Sequence, residues 1–455
     1  MENKKILSRH SGIPQKAGQN SGLPRFKAGW YILTALSLMP AIIWFFGSST
    51  DLAFGDLSSF SKTMGDLTGL CGMAMFSLVM ILSARLKFFE KFFNGINESY
   101  TAHHFFGGLS FCLLLFHPLF LSYNYLLVSF QSAALFFLPS LDNWAKNFGS
   151  VGLFIMIITL CITFYMRLKY QIWKFTHKFM GIAFIFAFVH MLLIGGDLAT
   201  NQPLKIYLLV LGVLAIATYF YRTLFADYLV RVFDYKVKNI TSYPDKIWEI
   251  EFEPKNRILS FVPGQFAFIK LYSRALTKEL HPFSFSSAEG DSLKIAIKEL
   301  GDWTDRVGNL KVGDLAKIEA PFGSFSFKNF RNKKQIWIAG GIGVTPFLSM
   351  ARSLSEKDLD YKIDLYYSVK DNNCLAFVEE LKKISETYKN LKIILWVSAE
   401  KGFLNFDSIK TNTPNVEQRD ILICGPSSMM SILKKQFLNG GINKKQIHME
   451  EFKLY

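Results

Sequence analysis

Apolar residues fill the first half of this chain in long runs and break into short alternating stretches in the second. A helix needs about 20 consecutive apolar residues to cross a bilayer. Six runs meet or approach that length: 29–47, 64–84, 102–123, 150–166, 174–194 and 204–222. Another apolar stretch, 125–138 (LLVSFQSAALFFLP), carries serines, a glutamine and a terminal proline, which predicts a loop or interfacial piece instead of a seventh span. From about residue 228 the period falls to two, in RVFDYKVKNIT, IWEIEFEP, GQFAFIKLYS, HPFSFSSA and LKIAIKEL, with turn residues at Pro244-Asp245, Pro263-Gly264 and Gly290-Asp291. Such close strand spacing predicts a small antiparallel barrel. After 330 strands alternate with helical stretches, at Gln335–Ala339, Ile363–Val369, Lys392–Val397 and Asp420–Cys424, the pattern of a doubly wound parallel sheet. The expected layout is a multi-domain membrane protein: a tail over 1–28, a six-helix transmembrane bundle over 29–225, an antiparallel β-barrel over 226–330 and an α/β nucleotide-binding domain over 331–455.

Charge sets the orientation. The net charge is +15, and a basic balance raises the question of nucleic acid, but no recognition motif accompanies it. The cations cluster instead before the first span (Lys4, Lys5, Arg9, Lys16, Arg25, Lys27), after the second (Arg85, Lys87, Lys91), after the fourth (Arg167, Lys169, Lys174) and after the sixth (Arg222). The opposite connections, including Gly195–Pro203, are nearly free of them. The positive-inside rule then places both termini in the cytoplasm. The first 28 residues lack the apolar core of a cleavable signal and read as a cytoplasmic tail. Cys71, Cys112, Cys161, Cys374 and Cys424 form no CxxC or CxxCH, which argues against a disulfide framework, a zinc site and covalent haem attachment.

Four histidines fall on just two of the six runs: His103 and His117 on the third, His177 and His190 on the fifth. One intramembrane histidine is most simply an interhelical polar contact. Four with matched spacing are harder to explain that way, because ionisable groups at bilayer depth are expensive and mark function. At ~1.5 Å per residue each pair places two imidazoles roughly 20 Å apart along the membrane normal. Spans three and five run outward in parallel, so His103 pairs with His177 near the cytoplasm and His117 with His190 near the outer face. That arrangement suits two stacked haems, each gripped by a histidine from each helix. Fourteen residues return a helix to within ~40° of the same face, whereas thirteen leave it ~140° away. His103 with His117 satisfies helix geometry better than His104 would. The His177/His190 pair requires a bulge, a kink or a strong tilt.

In the second half, Gly340-Gly341-Ile342-Gly343-Val344-Thr345-Pro346 follows an apolar strand and opens a helical stretch to Leu354. Thr345 suits an N-cap and Pro346 the first helical position. Glycines let backbone N–H groups approach a phosphate at the positive helix end. The run lacks the third glycine of the usual dinucleotide fingerprint, so an ordinary strand–helix turn also fits. His281-Pro282-Phe283-Ser284-Phe285-Ser286-Ser287 fixes an aromatic group and several hydroxyls beside a proline, as a strand holding an isoalloxazine ring would. Gly301-Asp302-Trp303-Thr304 ends a strand and opens a helix, a second anion-friendly terminus.

In this order, the six spans with paired histidines, PGQF (263–266), HPFSFSSA (281–288), GDWT (301–304), GGIGVTPF (340–347), CGP (424–426) and an aromatic tail resemble the NADPH oxidase and ferric reductase superfamily over roughly 30–455. The resemblance implies FAD, two b-type haems and NADPH or NADH as cofactors. His281, Pro282, Phe283 and Ser284 would hold the flavin, with Ser286 and Ser287 beside it, and Gly301, Trp303 and Thr304 its pyrophosphate. Gly340, Gly341, Gly343, Val344, Thr345 and Pro346 would cradle the nicotinamide nucleotide's pyrophosphate. Cys424, Gly425 and Pro426 would flank the nicotinamide. Phe452 resembles the aromatic that covers the flavin, although the tail runs on to Tyr455 and either ring could serve. Adjacent His103-His104 departs from the family, which usually has a cation or polar residue second. Ser368 and Lys370, at the end of the second nucleotide-domain strand, suit the 2′-phosphate of NADPH.

The expected activity is electron transfer from cytoplasmic NAD(P)H through FAD and the haems to an outer acceptor. With histidine on both sides of each iron, that acceptor meets only the haem edge. Oxygen, giving superoxide, is favoured over a ferric chelate or a partner protein, because the outer loops offer Asp142 and Asp197 but few cations. Two other readings make different forecasts. A six-span transporter with a redox-sensing nucleotide domain would bind no haem, and a flavoprotein on an inert anchor would not need the four histidines. No EF-hand loop or basic insert is evident, so constitutive activity in a prokaryotic plasma membrane, without an obligatory protein partner, is the expectation.

Overall fold

In lipid every backbone polar group must be satisfied within its own segment, so apolar runs of this length form helices. The computed structural model describes residues 28–47, 55–93, 95–166, 168–290, 292–330 and 332–451. Its membrane half contains α1 (Ala28–Gly47), α2 (Leu57–Leu82), α3 (Ile96–Leu126), α4 (Trp144–Tyr165), α5 (Tyr170–His177), α6 (Phe179–Leu193) and α7 (Gln202–Thr223). Helices α5 and α6 make one crossing, so among the described residues six segments are long and apolar enough to span. This is a multi-pass membrane protein. Polar caps carry the helices beyond the apolar runs. Asp56 accepts from Ser59 N, Asn143 from Lys146 N and Asn201 from Leu204 N. Helix α2 starts seven residues before its hydropathy suggests, and its early serines find partners on α3: Ser58 Oγ donates to Asn124 Oδ1 (2.6 Å) and Ser61 Oγ to Phe120 O (2.7 Å). The 125–138 stretch holds a seven-residue helix, Phe130–Phe136, too short to cross.

Strands β1 (Phe233–Tyr243), β2 (Ile247–Pro254), β3 (Phe266–Tyr272), β4 (Leu280–Ser284), β5 (Leu293–Lys298) and β6 (Leu315–Phe322) form an antiparallel sheet in the order β4-β3-β6-β1-β2-β5. Its two edges meet at a single antiparallel bridge between Phe285 and Ile295. The expected barrel is thus a rolled sheet whose seam is a bridge in place of a full ladder. Five parallel strands follow: β7 (Lys334–Gly340), β8 (Lys362–Val369), β9 (Leu391–Val397), β10 (Asp420–Cys424) and β11 (Ile447–Glu450), ordered β11-β10-β7-β8-β9. Helices α8 (Thr345–Arg352), α9 (Val378–Thr387) and α10 (Ser427–Asn439) accompany them. Strand β7 is buried beyond its first residue, as a strand covered on both faces should be. The chain winds from β7 to β8 on one side and returns to β10 on the other. This reversal opens a crevice at the carboxyl ends of β7 and β10.

The halves are joined by the connection between α2 and α3, which lies on β3 and β6. Arg222 at the end of α7 makes a two-pronged pair with Glu319 of β6 (2.8 and 3.3 Å) and donates from Nε to Ala84 O (2.7 Å). Lys87 Nζ donates to Ala320 O (2.6 Å), Arg85 stacks over Phe268 (4.4 Å), and Glu90 accepts from Gly323 N (3.2 Å). Ile96 packs with Phe266, Phe268 and Phe322.

Candidate functional site

The four histidines converge in two couples. The His103 and His177 rings stand 6.5 Å apart, and the His117 and His190 rings 6.3 Å. Two imidazole nitrogens each about 2 Å from one first-row metal ion would put their ring centres, about 1 Å further out, about 6 Å apart. The couples therefore have the separation for one iron each. Three rings are oriented by main-chain carbonyls on neighbouring helices: His103 Nδ1 lies 3.1 Å from Val79 O, His117 Nδ1 2.7 Å from Gly65 O, and His190 Nδ1 2.7 Å from Ala145 O. An Nδ1–H bound to a carbonyl leaves Nε2 as the lone-pair nitrogen, the tautomer a metal ligand requires. His177 stacks on Trp173 (5.3 Å, 18°), and its buried Nδ1 has no partner among the described residues. Of the adjacent His103 and His104, it is His103 that combines the carbonyl contact with the 6.5 Å approach.

The awkward thirteen-residue spacing is accommodated by a break at Lys178, between α5 and α6. There Lys178 N donates to Phe175 O (3.2 Å) and Gly181 N to Lys178 O (3.1 Å), both three-residue bonds. Such a turn advances about 120° per residue in place of about 100°, which closes part of the offset between His177 and His190.

In the rolled sheet, β4 presents His281, Pro282, Phe283 and Ser284. His281 lies 4.2 Å from the buried Trp303 ring and bonds Glu279 Oε2 through Nε2 (3.0 Å), and Phe283 stacks on Trp303 at 6.0 Å. Burial pushes the His281 imidazole below its usual range, opposed by Glu279. Ser284 Oγ is buried without a partner among the described residues, an orphan that a heteroatom of a bound flavin would satisfy. The next two hydroxyls are committed: Ser286 Oγ donates to Glu249 (2.7 Å), and Ser287 Oγ accepts from Lys294 N (3.0 Å). The GDWT turn opens a six-residue 3-10 helix, Thr304–Asn309, and Thr304 Oγ1 takes the N–H groups of Leu300 (2.9 Å) and Gly301 (3.0 Å). The Gly301 N–H is therefore already used within the turn.

At the crevice, Gly341 takes a positive φ (51°), and nothing lies within 4 Å of where a Cβ would sit, which leaves an open cradle. Gly343 is required for another reason: a Cβ there would stand 2.4 Å from Cys424 O. The GGIGV and CGP turns thus meet backbone to backbone. Thr345 does not cap α8 as expected. It is already helical (φ −51°, ψ −52°), with Val344 at the cap, and its Oγ1 donates back to Ile342 O (2.8 Å). The preceding 3-10 turn, Gly341–Val344, occupies the place a capping residue would have taken. Pro346 sits in the first helical turn as expected. Gly340 ends β7 in register with Ser368 of β8, Lys370 is exposed just beyond, and Cys424 ends β10 fully buried, its thiol pushed up by burial. Phe452 and Tyr455 lie outside the described residues.

Three family matches cover this ground in order. Residues 68–188 match a ferric reductase like transmembrane component, 232–343 an FAD-binding domain and 337–435 an oxidoreductase NAD-binding domain. The chain belongs to the NADPH oxidase and ferric reductase superfamily. Flavohemoprotein B of Dictyostelium discoideum is 31% identical over 222 residues, covering 43% of this chain and 52% of that protein. The glycine betaine monooxygenase reductase subunit of Pseudomonas aeruginosa is 25% identical over 208 residues, covering 42% and 56%. The chain spans about half the length of these curated relatives. Among solved structures, the FAD/NAD-binding domain of Vibrio cholerae nitric oxide dioxygenase aligns with a TM-score of 0.44 at 22% identity, over 48% of this chain and 97% of that one.

For this superfamily member, sequence reasoning missed the residues behind the histidines. A Cβ at Gly69 of α2 would sit 2.6 Å from His117 Nδ1, and one at Gly149 of α4 2.8 Å from His190 Nδ1. The signal was available: Gly65, Gly69 and Gly72 form a small-residue stripe of the kind that lets membrane helices approach closely.

Proposed function

We propose that this protein carries electrons from cytoplasmic NAD(P)H across the membrane to an acceptor on the far side. The observation that carries this reading is the two imidazole couples, 6.5 and 6.3 Å apart. His103 and His177 would hold an inner b-type haem, His117 and His190 an outer one. When bound, FAD would supply the conversion of a hydride into single electrons, and the haems a path for them through the bilayer.

The chain's own residues bind, align and exclude. In this reading 226–330 is the flavin domain and 331–455 the nicotinamide domain. His281 to Ser284, backed by Trp303, would hold the flavin, and Gly301 to Thr304 would bind its pyrophosphate. Gly340 to Pro346 would hold the nucleotide's pyrophosphate, Cys424 to Pro426 would flank the nicotinamide, Phe452 or Tyr455 would cover the flavin, and Ser368 with Lys370 favours NADPH. The cytoplasmic cations support a topology with both termini inside.

Oxygen is the favoured acceptor, with the balance NADPH + 2 O2 → NADP+ + 2 superoxide + H+. The outer connections offer Asp142 and Asp197 but few cations, which disfavours a citrate chelate relative to a small neutral gas. The family description of 68–188 supports ferric-chelate reduction as the second reading. The deciding experiment is oxygen-free turnover with NADPH, comparing ferric citrate with buffer, followed by air and a superoxide assay. A reduced-minus-oxidised spectrum without two b-type haems per chain would overturn the whole reading in favour of a redox-sensing transporter.

A further inference from the structure

The helix that follows the GGIGV turn is anchored at its far end to the flavin strand, although the two belong to different sheets. Arg352, the last residue of α8, is nearly buried and spends its whole guanidinium on this joint. Nη1 meets Glu249 Oε1 of β2 (2.6 Å) and donates to Ser286 O (2.9 Å). Nε and Nη2 meet the two carboxylate oxygens of Glu380 on α9 (2.6 and 2.7 Å). Ser286 Oγ completes the ring by donating to the same Glu249 oxygen. One turn earlier, fully buried Ser349 donates to Ser287 O (2.6 Å) and lies 3.4 Å from Gly264 N.

Two successive carbonyls of the SSA segment, directly after the HPFS strand, are thus read by two side chains of one short helix. The amino end of that helix carries the turn at the crevice. With eight residues, α8 extends about 12 Å, short and rigid enough to transmit position from one end to the other. Burying an arginine with two carboxylates is weak evidence for stability, since apolar packing often does as well. A planar five-donor fork bound to a strand carboxylate, a loop carbonyl and a helix carboxylate instead fixes an orientation, which lysine would not do.

We propose that Arg352 and Ser349 are positioning residues that set the approach of the nicotinamide to the flavin ring by holding α8 in register with the flavin strand. This rests on the cofactor assignment above. Small displacements in such an approach are amplified: about 1 Å can lower a rate roughly 100-fold.

The test uses the full-length, FAD-loaded protein, mixed rapidly with NADPH or with NADPH deuterated at the transferred position, without oxygen. FAD content, thermal melting and reduction by dithionite are measured alongside. In Arg352→Lys and Ser349→Ala the limiting rate of flavin reduction should fall about tenfold or more. NADPH affinity should change much less, FAD content and dithionite reduction should stay at the wild-type level, and the deuterium effect should grow as hydride transfer becomes limiting. Arg352→Ala should be slower still. If Arg352→Ala does not fold, the two milder variants decide. Wild-type limiting rates and isotope effects in both would overturn the inference. A wild-type flavin that NADPH does not reduce would instead overturn the proposed function.

Discussion

Asn97, in the first turn of α3, donates a 3.0 Å hydrogen bond to Glu450, the last residue of β11. The carboxyl group closing the nucleotide-binding sheet is thereby tied to the helix that carries His103 six residues further on. Burial pushes the Glu450 carboxyl from 4.5 up to about 8, with the Asn97 bond opposing and Glu90 reinforcing the rise. The folded protein keeps this proton over a range where the unfolded chain has lost it. The stability tied to it is complete below about 4.5 and disappears as pH climbs through about 8. Glu450→Gln, which keeps the amide-compatible shape without titrating, should flatten thermal stability between those limits. Melting curves at intervals of pH check this; an unchanged slope would refute it.

The outer imidazole couple makes a sharper forecast. Replacing His190 with alanine should remove one of two haems and abolish delivery to an external acceptor. Anaerobic flavin reduction by NADPH should continue, because that step lies wholly in the soluble half. Haem content per chain and the two rates are the measurements, and retained external activity would refute the relay.

The glycines behind the rings can be tested separately from the ligands. Gly149→Leu would drive a side chain into His190, since even a Cβ would lie 2.8 Å from Nδ1. Overpacking of this kind costs typically about 1–3 kcal/mol. The variant should lose outer-haem absorbance while its flavin content stays intact.

At the joint between the halves, Arg222→Ala should destabilise strongly, by about 3–5 kcal/mol, because it leaves Glu319 buried without its partner. The double variant Arg222→Met with Glu319→Leu should recover most of that loss. Unfolding followed by heat or denaturant distinguishes the two.

Lys370 stands exposed beyond β8, and the proposed reading assigns it to the 2′-phosphate that distinguishes NADPH from NADH. Lys370→Ala should raise KM for NADPH about tenfold, equivalent to about 1.4 kcal/mol, and leave NADH nearly unaffected. Equal effects on both nucleotides would remove the lysine from this role.

Much of this architecture was legible because each part has its own period. Long apolar runs, two-residue alternation and strand–helix rhythm separate the bundle, the rolled sheet and the parallel sheet. The histidine couples were legible because few polar groups reach bilayer depth. What escaped was set by long-range contacts. The committed hydroxyls of Ser286 and Ser287 depend on Glu249 and Lys294, which no local pattern links to them. The Thr345 cap failed because a 3-10 turn takes up the preceding residues, moving threonine inside the helix. The break at Lys178 answers a geometric requirement evident in the thirteen-residue spacing, yet no proline marks its place, and nearby Gly181 is also called for by the Tyr219 ring packed against it.

Helix α2 bears no histidine, but Gly65 and Val79, whose carbonyls hold His117 and His103, are separated by fourteen residues, as those histidines are. Two antiparallel helices therefore carry the same interval, about 21 Å, and each checks the other. A single residue inserted into α2 between these carbonyls would swing one of them about 100° out of line, even with every ligand intact. The metric of the electron path would then be written twice in the chain, once in residues that never touch a metal.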